Sequence, residues 1–160
     1  MKAKHVFLLI AGLISASNLC FGQQQKLFDR FAGQDGVSSV HISKAMFDML
    51  PSLGDAGGVK LSRLKKIDGI HLLSTKKDGV REEMRATFKK LITEKHEELM
   101  RIRDEGGDDV TFHVRKNGTD IEELVMLVDG VEEFTVILIL GHFTLEDIRD
   151  VASKASKHIK

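Results

Sequence analysis

Seven histidines are the residues of this 160-residue chain whose spacing could most readily indicate chemistry. Imidazole nitrogens bind zinc when several come together, most simply as two histidines one helical turn apart. No pair in the sequence has that spacing. His41, His71 and His113 instead lie in predicted strands, and they could converge only if those strands were neighbours. Lone histidines in strands are more often surface or half-buried residues, so we predict no metal site and no cofactor.

Patterns typical of other active sites do not occur in this sequence. There is no Gly-x-Ser-x-Gly nucleophile elbow, and the glycine-rich 54–58 stretch lacks the Lys-Ser/Thr of a phosphate loop. The acidic 104–109 stretch lacks the alternation of an EF-hand calcium loop and is better explained as a solvated turn. Catalysis is therefore not favoured, and a metal-dependent enzyme using His41, His71 and His113 is the least favoured alternative.

The first 22 residues have the layout of a secretory signal peptide. Lys2 and Lys4 precede an apolar run over 6–16, and Cys20-Phe21-Gly22 gives a small-x-small cleavage pattern. The apolar run is too short to span a bilayer comfortably. We therefore predict a signal peptide over 1–22, a single mature domain over 23–160, and a periplasmic or secreted location.

Cys20 is the only cysteine, and it raises the alternative of a lipid anchor at the end of the signal. A bacterial lipoprotein signal needs a small residue directly before the cysteine, whereas Leu19 is large. Ordinary cleavage is therefore favoured over a lipid anchor at Cys20. No later stretch is long and apolar enough to span a membrane.

Charge and composition exclude some classes of partner. The chain has 24 basic and 24 acidic residues, and loss of Lys2 and Lys4 with the signal leaves a small negative charge. Without a basic surplus there is nothing to hold a phosphate backbone, so we predict no nucleic-acid partner. Tryptophan and tyrosine are both absent, which disfavours a carbohydrate-binding module.

Hydrophobic periodicity and turn residues predict an α+β fold. Strands are predicted at about 37–42, 69–74, 98–103, 110–115, 120–128 and 133–140. Helices are predicted at about 26–31, 44–50, 61–67 and 78–95, with a last helix capped by Thr144. Together they predict a mainly antiparallel sheet, a C-terminal four-strand meander plus two N-terminal strands, with helices packed on one face. The first two strands, which are linked through helices, could be parallel.

The hairpin around Asn117-Gly118 predicts two sheet faces of different character. A two-residue turn there would pair Arg115 with Asp120 and His113 with Glu122. The face predicted to meet the helices comprises Val110, Phe112, Val114, Ile121, Val125, Phe134, Val136 and Leu138. The opposite, mixed face is the candidate interaction face and includes Arg101, Arg103, His113, Arg115, Glu122, Leu124, Met126 and Ile137. Glu123 fits the apolar face poorly, which indicates a bulge or a shifted turn.

A face that is too apolar for full solvation and too charged for a core leaves three interpretations open. A helix or loop of the same chain could cover it. An unknown envelope protein or a second copy of the chain could bind it, which is the leading functional hypothesis. The alternative is a small-ligand carrier with a cavity between the sheet and the helices.

Four segments of the sequence resemble a known family. They are VHISKAMF at 40–47, ELMRIRDE at 98–105, IEELVMLV at 121–128, and FTVILILG at 134–141 followed by LEDI at 145–148. Together they resemble exported bacterial proteins grouped as a domain of unknown function, number 4252, over most of 25–155. The resemblance implies a Gram-negative envelope protein, in some members lipid-anchored, and it implies no activity and no catalytic residues. The large Leu19 before Cys20 departs from the anchored members.

Overall fold

The computed structural model of the chain describes residues 19–49 and 66–147, with side chains from residue 24 onward. The chain divides into two compact units between Asp35 and Gly36, and each unit is described by itself. No helix among the described residues is long and apolar enough to cross a membrane.

The first unit contains helix α1 (Leu19–Ala32). This helix is longer than the predicted helix at 26–31. Phe28 and Phe31 are nearly inaccessible to solvent, and the Arg30 guanidinium lies 4.7 Å from the centre of the Phe31 ring.

In the part of the chain that the structure describes, the second unit is a six-stranded sheet accompanied by helices. Its elements are β1 (Val37–Ser43), α2 (Lys44–Met49), β2 (Ile67–Thr75), α3 (Asp78–Phe88), β3 (His96–Arg103), β4 (Asp109–Asn117), β5 (Asp120–Asp129) and β6 (Phe134–Phe143). All neighbouring strands are antiparallel, in the order β1-β2-β6-β5-β4-β3. The predicted α+β fold is confirmed, and each predicted strand is present with ends shifted by at most three residues.

The prediction that the first two strands could be parallel is wrong. β1 and β2 pair antiparallel over seven residue pairs. Lys44, directly after β1, donates a hydrogen bond to Asp68 at the start of β2 over 2.8 Å. The end of the first strand therefore lies beside the beginning of the second. The predicted helix at 61–67 lies outside the described residues except for its last two, and Ile67 begins β2.

Helix α3 covers one face of the sheet. Its apolar residues follow helical spacing, and Met84 and Phe88 are completely buried. Arg85 and Lys89 reach Asp129 on β5, at 2.5 Å and 2.6 Å. Burial alone would raise the pKa of Asp129, but these two hydrogen bonds outweigh it and hold that pKa below its usual value.

Helix α3 begins with an acidic residue. Asp78 is its first residue, and it pairs with Arg81 one turn later at 2.9 Å. Lys77 occupies the N-cap position and makes no side-chain cap hydrogen bond. The acidic side chain still favours this helix because it lies at the positive end of the helix dipole.

The two faces of the sheet are both largely apolar. On the side of Asp129, which we call the helix-covered face, the central residues Val125, Phe134, Val136 and Leu138 are fully buried. The opposite side, which we call the second face, is buried only around one end of the β4–β5 hairpin. The cluster there consists of Val114, Ile121, Leu124 and Phe143, with Phe112, Met126 and Ile139 packed against it.

The chain leaves β6 through a capping box. The Thr144 backbone N–H donates to Asp147 Oδ2 at 2.9 Å, and the Asp147 N–H donates back to Thr144 Oγ1 at 3.3 Å. Residues 145–147 are helical, and the rest of the predicted last helix lies outside the described residues. The Thr144 backbone hydrogen bond, with help from Lys66, lowers the pKa of Asp147 to about 2.

We expect Thr144→Ala to lower the free energy of unfolding by about 1 kcal/mol, because a helix N-cap is lost. Asp147 should also make stability depend on acidity. Its carboxyl has a lower pKa in the folded state, so its contribution is present above pH ~4 and is lost as the pH falls toward 2. Urea unfolding at pH 7, 4 and 2 measures this, and Asp147→Asn should remove that part of the acid sensitivity. An unchanged pH profile in Asp147→Asn would contradict the assignment.

Candidate functional site

The strand register aligns side chains from neighbouring strands into rows that cross the sheet. One row on the second face takes a single side chain from each of the six strands, and all six are apolar. From edge to edge these residues are Val40, Leu72, Ile137, Met126, Phe112 and Met100, and we call them the apolar row. With strands about 4.8 Å apart, the row extends roughly 24 Å across the sheet.

The apolar row is accessible along its length. Val40 and Met100 at its two ends are 49% and 45% exposed. The four residues between them are partly exposed. A second row beside it is also apolar until it reaches Glu97 on β3, and comprises Ile42, Ile70, Ile139, Leu124 and Val114. A third row lies on the same face, on the opposite side of the apolar row from the second row. It is polar on its first three strands, with Ser38, Ser74 and Thr135.

The sheet divides the eight residues of the sequence-predicted interaction face. Arg101, Arg103, His113 and Arg115 lie on the helix-covered side, whereas Leu124, Met126 and Ile137 lie on the second face. Glu122 is paired with no residue in the strand register. The prediction that these eight residues share one surface is wrong, while a binding role for any of them stays a prediction.

The turn differs from the prediction, although this difference alone leaves the faces unchanged. The prediction placed Asn117 and Gly118 at the turn centre, but Asn117 pairs with Asp120, so the central residues are Gly118 and Thr119. Gly118 has a φ of 64°, whereas Thr119 does not have a positive φ. Glycine at the first central position is the pattern of a type II′ hairpin turn.

The cause of the wrong assignment is a bulge at Glu122. Lys116 pairs with Ile121, but the next pair is Arg115 with Glu123, so Glu122 is an extra residue in β5. In the pairing of β5 with β6, Glu122 is also left out of the register. One extra residue reverses the alternation of side chains. Ile121 and Val125, which were predicted to share a face, therefore lie on opposite faces.

A buried carboxylate lies beside the bulge. Glu123 is 0% exposed, and Arg115 donates from Nε to its Oε2 at 3.1 Å. The same guanidinium contacts Glu122 through Nη1. The side-chain amide of Asn117 donates a hydrogen bond to Glu122 over 2.9 Å. These contacts explain why the bulge carries two consecutive glutamates.

His96 completes this network as a neutral ring. The Thr93 backbone N–H donates to its Nδ1 at 3.1 Å, so Nδ1 is the acceptor. The proton of the neutral ring is then on Nε2, which donates to Glu123 at 3.3 Å. With both nitrogens engaged and the side chain buried, His96 has a positioning role and offers no free base.

Other charged residues of β3, on the same side of the sheet, form exposed ion pairs. Arg101 contacts Glu98 at 2.6 Å and Asp109 at 2.9 Å, and Arg103 contacts Asp109 at 3.1 Å. The Arg101 hydrogen bond lowers the pKa of Glu98. Burial lowers the pKa of His113, so its ring is neutral at pH 7.

The three strand histidines do not form a cluster. His41 and His71 are cross-strand partners whose rings stack 4.3 Å apart. His113 lies in the same row, but Leu138 and Val125 stand between, which places it three strand spacings, or about 14 Å, from His71. The cluster that the metal-enzyme alternative requires is therefore not formed. Within 19–49 and 66–147, no three potential ligands are close enough to hold a metal ion.

Two cavities lie at the ends of the sheet rather than beneath a helix. The larger, about 590 Å³, is lined by polar and acidic residues of the turns, including Lys76, Asp108, Glu132 and Glu133. The smaller, about 350 Å³, is lined by the Gly118-Thr119 turn and by Thr144. Neither is the cavity between sheet and helices that the small-ligand alternative predicts.

Four of the six residues of the apolar row were not predicted from the sequence to lie on an exposed face. Val40, Leu72 and Met100 were not assigned to an exposed face, and Phe112 was predicted to meet the helices. The available signal was the alternation in both edge strands, where Val40 precedes Ile42 and Met100 precedes Ile102 by two residues. Their alignment required the strand order, which single-strand patterns do not contain.

Comparison with known proteins supports a family assignment. A family model described as a domain of unknown function (DUF4252) matches residues 31–151, which covers the whole sheet. Comparisons with curated proteins and with solved structures give no match. The match confirms the resemblance of the four segments, and the chain belongs to the DUF4252 family.

Proposed function

We propose that this protein is an exported, non-enzymatic binding protein that holds a partner protein against the apolar row. One observation carries the proposal. Six apolar side chains, one from each strand, run without interruption across the second face, and both ends of the row are about half exposed. Contiguous exposed apolar surface of this kind is typical of interaction sites.

The energetics favour an occupant on this face. Each apolar side chain gains about 1.5–3 kcal/mol when it is fully removed from water. The helix-covered face already has that gain, since Val125, Val136 and Leu138 are fully buried. The central residues of the apolar row, such as Ile137 and Met126, are only partly removed from water. A partner that covered them would supply the rest of this free energy.

The chemistry of the surface indicates the chemistry of the partner. No member of the apolar row carries a formal charge, so the partner should offer an uncharged apolar surface. Two to three rows, spaced about 7 Å along the strands, make an area on the order of 400 Å². A stable interface usually buries about 800 Å² on each side, so this area fits a reversible partner rather than an obligate subunit.

Export is supported by the sequence of residues 1–22. Lys2 and Lys4, an apolar run and Cys20-Phe21-Gly22 occur in the order of a secretory signal. The proposed location of the binding event is therefore the bacterial envelope or its exterior, and the proposed partner is an envelope protein.

Site-specific photocrosslinking in the native host tests the proposed function. A photoreactive residue at Ile137, at the centre of the apolar row, should attach covalently to one defined polypeptide. The same probe at Asp104, an exposed turn residue away from the row, is the matched control and should give no such product. Met126→Glu should reduce the yield from Ile137 at least tenfold, because it places a charge in the interface.

A second variant separates this proposal from the mixed face predicted from the sequence. Arg101→Glu with Arg103→Glu reverses two charges on the opposite side of the sheet and should leave the Ile137 product unchanged. A product that Met126→Glu does not reduce, or no product at Ile137, would overturn the proposal. A product made of two copies of this chain would replace the partner protein with a homodimer.

A further inference from the structure

The sheet has two edges, and they differ in how they are protected against pairing. Strands β1 and β3 are the outermost strands. The outer side of an edge strand presents backbone N–H and C=O groups that can pair with another chain. Proteins commonly protect such edges with charged side chains and bulges.

Strand β3 is a protected edge. Four of its eight residues are charged, namely Glu97, Glu98, Arg101 and Arg103. They are tied into ion pairs, including Lys116 with Glu97 at 2.6 Å. A register shift between Glu98 and Met100 also distorts this edge. An incoming strand would meet fixed charges of both signs.

Strand β1 has none of these protections. Its sequence VSSVHIS contains no acidic residue, lysine, arginine or proline. Ser38, Ser39, Val40 and His41 are all exposed. Its seven residues pair with β2 without a register shift, so the outer side is regular as well.

We infer that β1 is a self-pairing edge, at which β1 of a second copy adds in antiparallel orientation to join the two sheets. This inference concerns the strand edge and does not depend on a partner for the apolar row. The two copies would be related by a two-fold axis perpendicular to the sheet, which keeps each side chain on its own face. Such an axis must pass midway between a residue and the same residue of the second copy. Only an axis between the two copies of Val40 pairs all seven residues of β1.

The resulting pairs are self-complementary. Val40 faces Val40 of the second copy, Ser38 faces Ile42, and Ser39 faces His41, where a hydroxyl and an imidazole can form a hydrogen bond. No pair opposes like charges. Seven pairs supply about six to eight backbone hydrogen bonds. The small area of a strand edge fits a reversible dimer.

Disulfide trapping of the full chain tests this pairing, with Cys20→Ser as the background. Directly opposite residues in an antiparallel pair have Cβ atoms about 4.5–5.5 Å apart, so Val40→Cys should form a dimer on mild oxidation. Ser38→Cys is the matched control, since it is exposed on the same face but lies about 13 Å from its own copy in this register. Met100→Cys on β3 is the control for the other edge.

The expected result is a covalent dimer from Val40→Cys at least tenfold faster than from either control. Ser38→Cys combined with Ile42→Cys should also cross-link, because the proposed register pairs these two positions. No dimer from Val40→Cys, or equal rates from all three single variants, would overturn the inference. Val40→Lys should convert the population to monomer in sedimentation velocity, and self-association unaffected by that change would also overturn it.

Discussion

Gly141→Ala is expected to lower the free energy of unfolding by about 3 kcal/mol, the upper end of the usual cost of overpacking. A Cβ atom at this position would lie 2.2 Å from the carbonyl oxygen of Lys66 and 3.0 Å from Cα of Ile67. Both are backbone atoms, so no side-chain rotation can relieve the clash. Gly141 is the cross-strand partner of Ile67 at the end where β2 enters the sheet. The methyl group would therefore separate β2 from β6 at this end.

Equilibrium unfolding in urea measures this loss, and Gly79→Ala is the matched control. Gly79 lies in helix α3 and a Cβ atom there meets nothing within 4 Å. Alanine is the better helix former, so this control should be neutral or slightly stabilising. If the two alanine variants were equally stable, the close approach of β2 to β6 at Gly141 would be wrong.

The strands of this protein could be predicted from the sequence because their signals are local. Alternating apolar residues and turn residues such as Gly107 and Gly118 place the strands of the meander to within three residues. Both glycines have a positive φ, which is why glycine occupies those positions. The same local reasoning predicted the helix cap at Thr144.

The faces could not be predicted in the same way, because they depend on the bulge. Moving the centre of the two-residue turn to Gly118-Thr119 shifts the register by two residues and keeps the faces, whereas the extra residue Glu122 changes the faces of everything after Ile121. The misfit of Glu123 was the only local sign of the bulge. Its side chain is buried because Arg115 and His96 accompany it from β4 and β3, two strands whose register no local pattern specifies.

The candidate site required the strand order as well. The apolar row depends on β6 lying between β2 and β5, which brings Ile137 beside Leu72 and Met126. The pairing of β2 with β6 joins segments about sixty residues apart. The separation of His113 from His71 follows from the same order and could not be judged from either strand alone.

Arg115→Met is the other substitution with a large expected effect, a loss of about 3 kcal/mol in the free energy of unfolding. The change removes the guanidinium that lies 3.1 Å from Glu123 Oε2 and leaves a fully buried carboxylate without its cationic partner. The neutral His96 ring, at 3.3 Å, can donate one hydrogen bond but cannot replace the charge. Arg101→Met is the matched control. Its ion pairs are about two-fifths exposed and are screened by solvent, so their loss should destabilise the fold far less than the loss of Arg115.

A double variant separates loss of packing from an uncompensated charge. Arg115→Met with Glu123→Leu removes both charges, and apolar replacement of a buried ion pair is often nearly neutral. We therefore expect urea unfolding to show the double variant at least 1.5 kcal/mol more stable than Arg115→Met alone, roughly half the penalty of breaking one partner of a buried pair. If the double variant were as unstable as the sum of the two single variants, Arg115 would stabilise the fold through packing of its side chain, and the glutamate at this bulge would not depend on its charge.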